Sequence, residues 1–196
     1  MFFQVDSGIF AALTDMFTPV AEPRSRLLDK ILRNANIDQI AAEMDFSRVY
    51  LLSWSSYIVR TDSAVKTLED MDRAGVRVGS ARGDSPEIYL SRTLRNAALK
   101  RYENPSAAEA VRLLRAREIE VWAANRQRLI EMAAGASDLR VLPGNYTGVR
   151  QAIAVAKGNM AAVEAIDRFL TRSRDSGLIQ AAIERAGLTA SAGAAP

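Results

Sequence analysis

Residues 75–90, GVRVGSARGDSPEIYL, limit the possible folds of this 196-residue chain more than any other segment. An apolar, β-prone run leads into glycines, and Asp84 and Ser85 then stand directly before Pro86. This order predicts a buried strand, a tight turn and a helix capped by Asp84 or Ser85, with Glu87 at capping-box spacing from Asp84. The N–H groups at such a helix start lack partners within the helix, so they suit a small anionic ligand.

Strand and helix patterns alternate along the chain, which predicts an α/β fold with mostly parallel strand pairing. The helix that begins at Ser85 is expected to continue to about Ala98. After the turn at 143–145, one longer strand is expected over 149–156. A helix is expected over 126–134. The small-residue tail, 189–196, is expected to be frayed.

Four residues fall on one expected ligand-facing edge: Gly83, Asp84, Ser85 and Asn125. In open α/β sheets, ligands bind outside the carboxyl ends of the strands and near the helix N-termini, which is where these residues are predicted to lie. Each also has a purely structural interpretation, because Asp84–Ser85 and Asn125 fit ordinary helix caps.

The amino-acid composition excludes several kinds of functional site. The chain has no cysteine and no histidine, which excludes disulfides, thiol nucleophiles, histidine bases and imidazole or thiolate metal sites, and no cofactor is expected. Its 26 Lys and Arg residues are mixed with 23 Asp and Glu residues, a pattern typical of a solvated surface and not of a nucleic-acid interface.

Membrane and targeting signals are weak. No apolar run reaches the roughly 20 residues that a membrane-spanning helix needs. The apolar segment 1–13 carries Asp6 and no basic residue, so it is a poor signal peptide. The sequence leaves open a cytoplasmic chain and a chain whose leader lies outside it.

Five segments, taken in order from about residue 45 to 188, carry a resemblance to a known family. They are DFSRVYLLSWSSYIVRTDS, LEDMDRAGVRVGSARGDSPEIYL, LLRAREIEVWAANRQRL, IAVAKGN and FLTRSRDSGLIQAAIERAGL. Together they resemble the bacterial extracellular solute-binding proteins of family 3, the substrate-binding proteins of amino-acid ABC transporters.

The resemblance implies a periplasmic-binding-protein-like, two-lobed α/β fold of type II. Residues 1–60 and 146–196 would form the first lobe and residues 61–145 the second, with crossings at 57–60 and 146–154. The implied function is the non-catalytic, periplasmic solute-binding component of an ABC-type uptake system. Its implied partners are a small carboxylate or amino-acid-like solute and a membrane permease.

The resemblance also implies site residues. The upstream segment FTPVAEPRSRLLD places Arg24 at the family's arginine, whose guanidinium clamps the ligand carboxylate through two parallel bonds. Thr18 falls near the family's hydroxyl residues, and Ser85 matches the hydroxyl residue at the start of the second-lobe helix, beside Gly83 and Asp84. Arg24 equally fits a solvated arginine beside a short helix.

Three departures from the family pattern stand out. The family's opening strand and helix are missing, so the first lobe is expected to be incomplete while the second is complete, and a homodimer is one way to complete the sheet. Residues 30–44 resemble an insertion with an amphipathic helix pattern. Asn125 stands where the family has an acidic residue for the ligand's ammonium group, which favours a carboxylate without an α-amine.

Alternatives stay open at this point. The same two-lobed fold serves cytoplasmic ligand sensors of the LysR effector type, although no helix-turn-helix precedes the lobes here. It also serves dehydratases of prephenate-like acids, for which no convincing pair of carboxylates is visible. A truncated relative that binds nothing is the third alternative. Trp54 and Trp122 are expected to pack in the core or at the crossings.

Overall fold

The computed structural model describes residues 44–195. In chain order the elements are β1 (Met44–Phe46), β2 (Leu51–Arg60), β3 (Arg77–Ala81), α1 (Ser85–Thr93), β4 (Ala98–Tyr102), α2 (Ala107–Arg115), β5 (Val121–Asn125), α3 (Arg126–Ala134), β6 (Leu139–Val141), β7 (Thr147–Gln151), β8 (Ala154–Ala156), α4 (Met160–Asp175), α5 (Leu178–Arg185) and β9 (Ala192–Ala194). The alternation of strands and helices confirms the predicted α/β class. The prediction of mostly parallel pairing is wrong for the described residues, because β3 pairs parallel with β4 and β5 whereas the pairs β1–β8, β2–β5 and β2–β6 are antiparallel. None of the helices between residues 44 and 195 has the length and apolarity to cross a bilayer.

The described residues fall into two compact units. Unit 1 contains residues 44–52, 150–189 and 193–195, and unit 2 contains residues 53–149 and 190–192. Strands β2, β7 and β9 each have residues in both units. The assignment of these units to the two lobes, with the boundaries given above, stays a prediction.

Unit 2 is built on a mixed sheet with the strand order β4-β3-β5-β2-β6. Strands β4 and β5 flank β3 in parallel, whereas β2 pairs antiparallel with β5 and β6. The parallel strands arise because a helix follows each of them and returns the chain to the start of the next strand.

Both faces of this sheet are covered. Alternate residues of β5 separate the two cores, because Val121 and Ala123 lie in one cluster and Trp122 and Ala124 in the other. The first cluster includes Leu90 of α1, and the second includes apolar residues of α2 and α3. Gly79 of β3 makes room for Trp122, since a Cβ there would lie 2.7 Å from the indole Cε3.

The described part of unit 1 is smaller. Strands β1 and β8 form a two-stranded antiparallel sheet, and helices α4 and α5 bury Leu170 and Ile183. Gly177, with φ 75°, turns the chain between the two helices. A hydrogen bond connects the segment after β1 to α4, because the Asp167 carboxylate of α4 accepts from the Arg48 N–H at 2.7 Å.

Helix α1 ends earlier than predicted, at Thr93 and not near Ala98. The carboxylate of Asp72 accepts the backbone N–H groups of Asn96 and Ala97, each at 2.8 Å. These bonds take amides that a continuing helix would need, so the chain leaves the helix and enters β4.

The predicted fraying of the tail is wrong for the described residues up to 195. The Trp54 N–H donates to the Ser191 carbonyl at 2.8 Å, and β9 pairs with β2. Ala195 is buried, and its N–H donates to the Tyr50 carbonyl at 3.1 Å. Small side chains, which suggested disorder, instead let this segment lie close along a strand.

The single strand predicted over 149–156 is divided into β7 and β8. Ser47 interrupts it, because its N–H donates to the Ile153 carbonyl and its hydroxyl accepts from the Ile153 N–H, both at 2.9 Å. Of the predicted insertion 30–44, only Met44 lies among the described residues, where it begins β1.

Candidate functional site

The carboxyl ends of β3, β4 and β5 meet at one edge of the unit 2 sheet, because these strands run parallel. Helices α1, α2 and α3 follow these strands and begin at the same edge. We name this edge, with the first turns of α1 and α3, the carboxyl edge. Helix N-termini carry positive partial charge and unpaired N–H groups, so the carboxyl edge favours anionic and hydrogen-bond-accepting groups.

The turn from β3 into α1 differs from the predicted capping box. Asp84 is the N-cap residue, but its side chain makes no capping hydrogen bond. Glu87, which is buried, accepts from the Gly83 N–H at 3.2 Å and from Arg101 Nε at 2.6 Å. Arg101 of β4 holds the Glu87 carboxylate, which therefore reaches Gly83 and not Asp84. Gly83, with φ 79°, supplies the left-handed turn.

Asp84 carries an unusual carboxyl group. Burial raises the pKa of this carboxyl above its ordinary value, Arg128 opposes the rise and Glu87 adds to it. The residue as a whole is exposed, so it keeps contact with solvent.

Asn125 ends β5 and caps α3. Its Oδ1 accepts from the Gln127 N–H at 2.9 Å, and its Nδ2 donates to the Ser53 hydroxyl through a short hydrogen bond. The structural interpretation of Asn125 as a cap is therefore correct. This amide is neutral and fixed at both ends, and it stands directly opposite Ser55 of β2 in the strand register.

Ser55 Oγ and Tyr146 OH are buried and interact with each other, and neither has a further hydrogen-bond partner among residues 44–195. Ser55 is 1% exposed. We name Ser55 and Tyr146 the hydroxyl pair. The sequence analysis did not find this pair, since contact between residues 55 and 146 leaves no mark in a single sequence.

Tyr146 of the hydroxyl pair belongs to a cluster of three tyrosines. The Tyr146 ring stacks on Tyr57 with centroids 4.3 Å apart, and Tyr89 of α1 lies 5.6 Å from Tyr146. Burial raises the pKa of both Tyr57 and Tyr146 well above the ordinary value, so both phenols stay protonated. The cluster thus places neutral hydroxyl groups on the face of the sheet that α1 covers.

The arginines near the carboxyl edge are held by backbone carbonyls or acids. Arg128 donates to the Pro105 carbonyl at 2.9 Å, and Arg126 donates to the Gly144 carbonyl at 2.7 Å. Arg82 forms an ion pair with Glu103. These bonds fix the loops of the edge, and Arg126 and Arg128 keep their positive charge because a carbonyl is a neutral acceptor.

The structure brings four of the six predicted site residues to the carboxyl edge: Gly83, Asp84, Ser85 and Asn125. Thr18 and Arg24 lie outside the described residues. The binding roles of all six stay predictions. Within residues 44–195, no group of three metal-ligating side chains is placed to hold a metal ion. The arrangement offers helix N-termini, a fixed amide and buried hydroxyls, which are groups that bind a small polar molecule.

Similarity to proteins of known role covers most of the chain. It is 25% identical over 166 residues to the ABC transporter glutamine-binding protein GlnH of Bacillus subtilis (strain 168), which covers 80% of this chain and 60% of that protein. It is 22% identical over 166 residues to the L-cystine-binding protein TcyJ of Escherichia coli (strain K12), again over 60% of that protein. No family model matches the chain.

A solved structure agrees in fold. The amino acid ABC transporter substrate-binding protein AbpA from Streptococcus pneumoniae, bound to L-arginine, has a TM-score of 0.58 and 20% identity over 77% of this chain and 64% of that one. The chain thus has relatives and structural neighbours that are amino-acid substrate-binding proteins of ABC transporters, and the predicted fold class is confirmed. It spans about 60% of the length of the two curated relatives.

Proposed function

We propose that this chain is the solute-binding component of an ABC-type uptake system, and that it takes a small carboxylate or amino-acid-like solute. The observation that carries the proposal is the similarity over 80% of the chain to a glutamine-binding protein, together with a carboxyl edge in unit 2 that suits an anion. A periplasmic location and a membrane permease as partner are parts of the same proposal. So is the absence of catalysis.

The proposed binding mode uses two groups of residues. Arg24, with Thr18 nearby, binds the solute carboxylate through its guanidinium fork. The start of α1 supplies the Ser85 hydroxyl and the first-turn N–H groups to the same carboxylate, and the Gly83 turn with Asp84 sets their direction. Asn125 faces the remainder of the solute.

Isothermal titration calorimetry on the full chain tests this function. The solutes are L-glutamine, L-arginine, L-cystine and their amine-free carboxylate counterparts. We expect micromolar binding of at least one of them, since the relatives are named for glutamine and cystine. If the chain binds none of these carboxylates, the proposal is contradicted.

Two substitutions locate the site. Arg24→Ala is expected to abolish binding, and Ser85→Ala to weaken it by about tenfold, the loss of one hydrogen bond to a charged group. Ser91→Ala is the matched control, because Ser91 is an exposed serine of the same helix whose hydroxyl donates to the Ile88 carbonyl. Unchanged affinity in Arg24→Ala and Ser85→Ala, with native circular dichroism, contradicts the proposed binding mode.

Catalysis has its own test. The full chain is incubated with prephenate and with arogenate, and product is followed by absorbance. We expect no turnover above the uncatalysed rate. Turnover that disappears in Asp84→Asn would replace the binding role with an enzymatic one.

A further inference from the structure

The turn between β3 and α1 has three successive backbone N–H groups that are bonded within the protein. The Arg82 N–H donates to a carbonyl of β4 at 2.9 Å, and the Asp84 N–H donates to a carbonyl of β3 at 3.3 Å. The Gly83 N–H, which lies between them in the chain, donates to the Glu87 carboxylate at 3.2 Å. The protein itself therefore sets the direction in which the chain enters α1.

The first turn of α1 is capped differently from those of the next three helices. The N-cap side chains of α2, α3 and α4 each accept an N–H of their own first turn. At α1 the N-cap residue is Asp84, and its side chain makes no capping bond. Because Pro86 has no N–H, the N–H groups of Ser85 and Glu87 are the ones that such a cap leaves to an outside acceptor.

Glu87 fixes the turn that leads to these N–H groups. Its side chain is 8% exposed, and each of its carboxylate oxygens has its own partner. Oε1 accepts from Arg101 Nε at 2.6 Å, and Oε2 accepts from the Gly83 N–H. Arg101 belongs to β4, so these two bonds connect the start of α1 to the neighbouring strand of the sheet. A carboxylate that is bonded through both oxygens has one orientation, and the guanidinium compensates its buried charge.

Resting on the proposed function, we propose that Glu87 and Arg101 are positioning residues for solute binding. They act through the Gly83 turn and not by contact with the solute. They hold the Ser85 hydroxyl and the first-turn N–H groups in place before the solute carboxylate arrives. A donor group that is already ordered loses less conformational entropy when the solute binds, so the affinity is higher.

Glu87→Gln tests this role with the exchange of one oxygen for an NH₂ group. An amide has a single oxygen, so it cannot accept from both Arg101 and the Gly83 N–H. The probe is the carboxylate that the full wild-type chain binds most tightly in calorimetry, among L-glutamine, L-arginine, L-cystine and their amine-free counterparts. The variant is expected to bind it about tenfold more weakly, because the turn must then be ordered during binding.

Glu120→Gln is the matched control. The Glu120 carboxylate also uses both oxygens, since Oε2 accepts from the Arg77 N–H at 2.8 Å and Oε1 from the Arg77 guanidinium at 2.6 Å. This pair lies at the start of β3, which is the end of the sheet opposite to the carboxyl edge. Both substitutions are expected to lower the melting temperature, because each removes a bond to a carboxylate. Only Glu87→Gln is expected to weaken binding.

The other outcomes overturn the inference. Equal affinity of the wild type and of folded Glu87→Gln shows that the pair has a purely structural role. Equal weakening by Glu120→Gln shows that binding follows the stability of the whole sheet. If Glu87→Gln does not fold, Arg101→Gln takes its place with Arg77→Gln as its control, because the two arginine side chains are 38% and 41% exposed. All these results leave the proposed function intact, whereas a wild-type chain that binds none of the carboxylates overturns both proposals.

Discussion

The interactions inside unit 2 differ from those inside the described part of unit 1. In unit 2 a mixed sheet is covered by helices on both faces, and two clusters of buried apolar side chains provide the core. Residues 44–52 and 150–189 of unit 1 show a two-stranded ribbon and two helices, with polar ties such as the Lys157–Asp45 ion pair at 2.7 Å. A two-stranded sheet buries little apolar surface by itself. Within residues 44–195, the larger packed framework is therefore in unit 2, and substitutions in the two units test this difference.

The largest difference is expected from truncating a core leucine in each unit. Leu114 of α2 is 0% exposed and lies in a unit 2 cluster, whereas Leu170 of α4 is 2% exposed in unit 1. Leu114→Ala is expected to lower the free energy of unfolding by about 4 kcal/mol and Leu170→Ala by about 2 kcal/mol, because two packed helices can close around a cavity more easily than a sheet with helices on both faces. Urea denaturation followed by circular dichroism measures both. Equal losses would show that the two units are packed alike.

Adding a methyl group gives a smaller effect. Gly79→Ala in β3 places a Cβ 2.7 Å from Trp122 and 2.8 Å from Ile119, so the core must shift, at about 2 kcal/mol. Gly177→Ala in unit 1 meets open space, and only the left-handed backbone at φ 75° opposes it, at about 1 kcal/mol. Thermal unfolding of the two variants compares them. A Gly177→Ala loss as large as that of Gly79→Ala would contradict the difference in packing.

The smallest effects are expected from two carboxylates whose pKa is lowered by different partners. Backbone N–H groups, that of Ala97 foremost, lower the pKa of Asp72 in unit 2, and Lys157 with the Gly158 N–H lowers that of Asp45 in unit 1. A folded-state pKa below the unfolded value means that each carboxylate stabilises the fold above about pH 4 and loses this effect as the pH falls through the folded value.

Urea denaturation tests these carboxylates. It gives the free energy of unfolding of Asp72→Asn, of Asp45→Asn and of the wild type at several pH values and salt concentrations. The difference from the wild type is expected to be constant from about pH 8 to pH 5 and to vanish in more acidic buffer. High salt is expected to reduce the Asp45 effect, because its main partner is a lysine at the surface, and to leave the Asp72 effect unchanged. The same salt response in both variants would argue against this distinction.

The sequence predicted correctly those helices and turns whose ends depend on residues close to them in the chain. Helix α3 occupies 126–134 as predicted, because Asn125 caps its start and Gly135 ends it. The junction from β3 through Gly83 into α1 was likewise predictable, since a glycine turn and Pro86 act within a few residues.

Distant partners explain where prediction failed. The end of α1 depends on Asp72, which is more than twenty residues earlier in the chain. The ordered tail depends on Trp54 of β2 and on Tyr50 just before that strand, near the other end of the described chain. In the site, the carboxyl edge followed from the order of elements. The hydroxyl pair did not, because Ser55 and Tyr146 meet only through the register of β2 and its neighbours.

The positions of the two tryptophans have a spectroscopic consequence. Trp54 and Trp122 are the only tryptophans in the sequence, and both belong to unit 2. Trp122 is completely buried against Gly79, and Trp54 is half-buried and packs on Gly148. Fluorescence excited beyond the tyrosine absorption band therefore comes from two side chains of unit 2, with Trp122 as the fully buried emitter. Exposure of Trp122 marks the melting of the unit 2 core, whereas the far-ultraviolet signal follows the helices of both units.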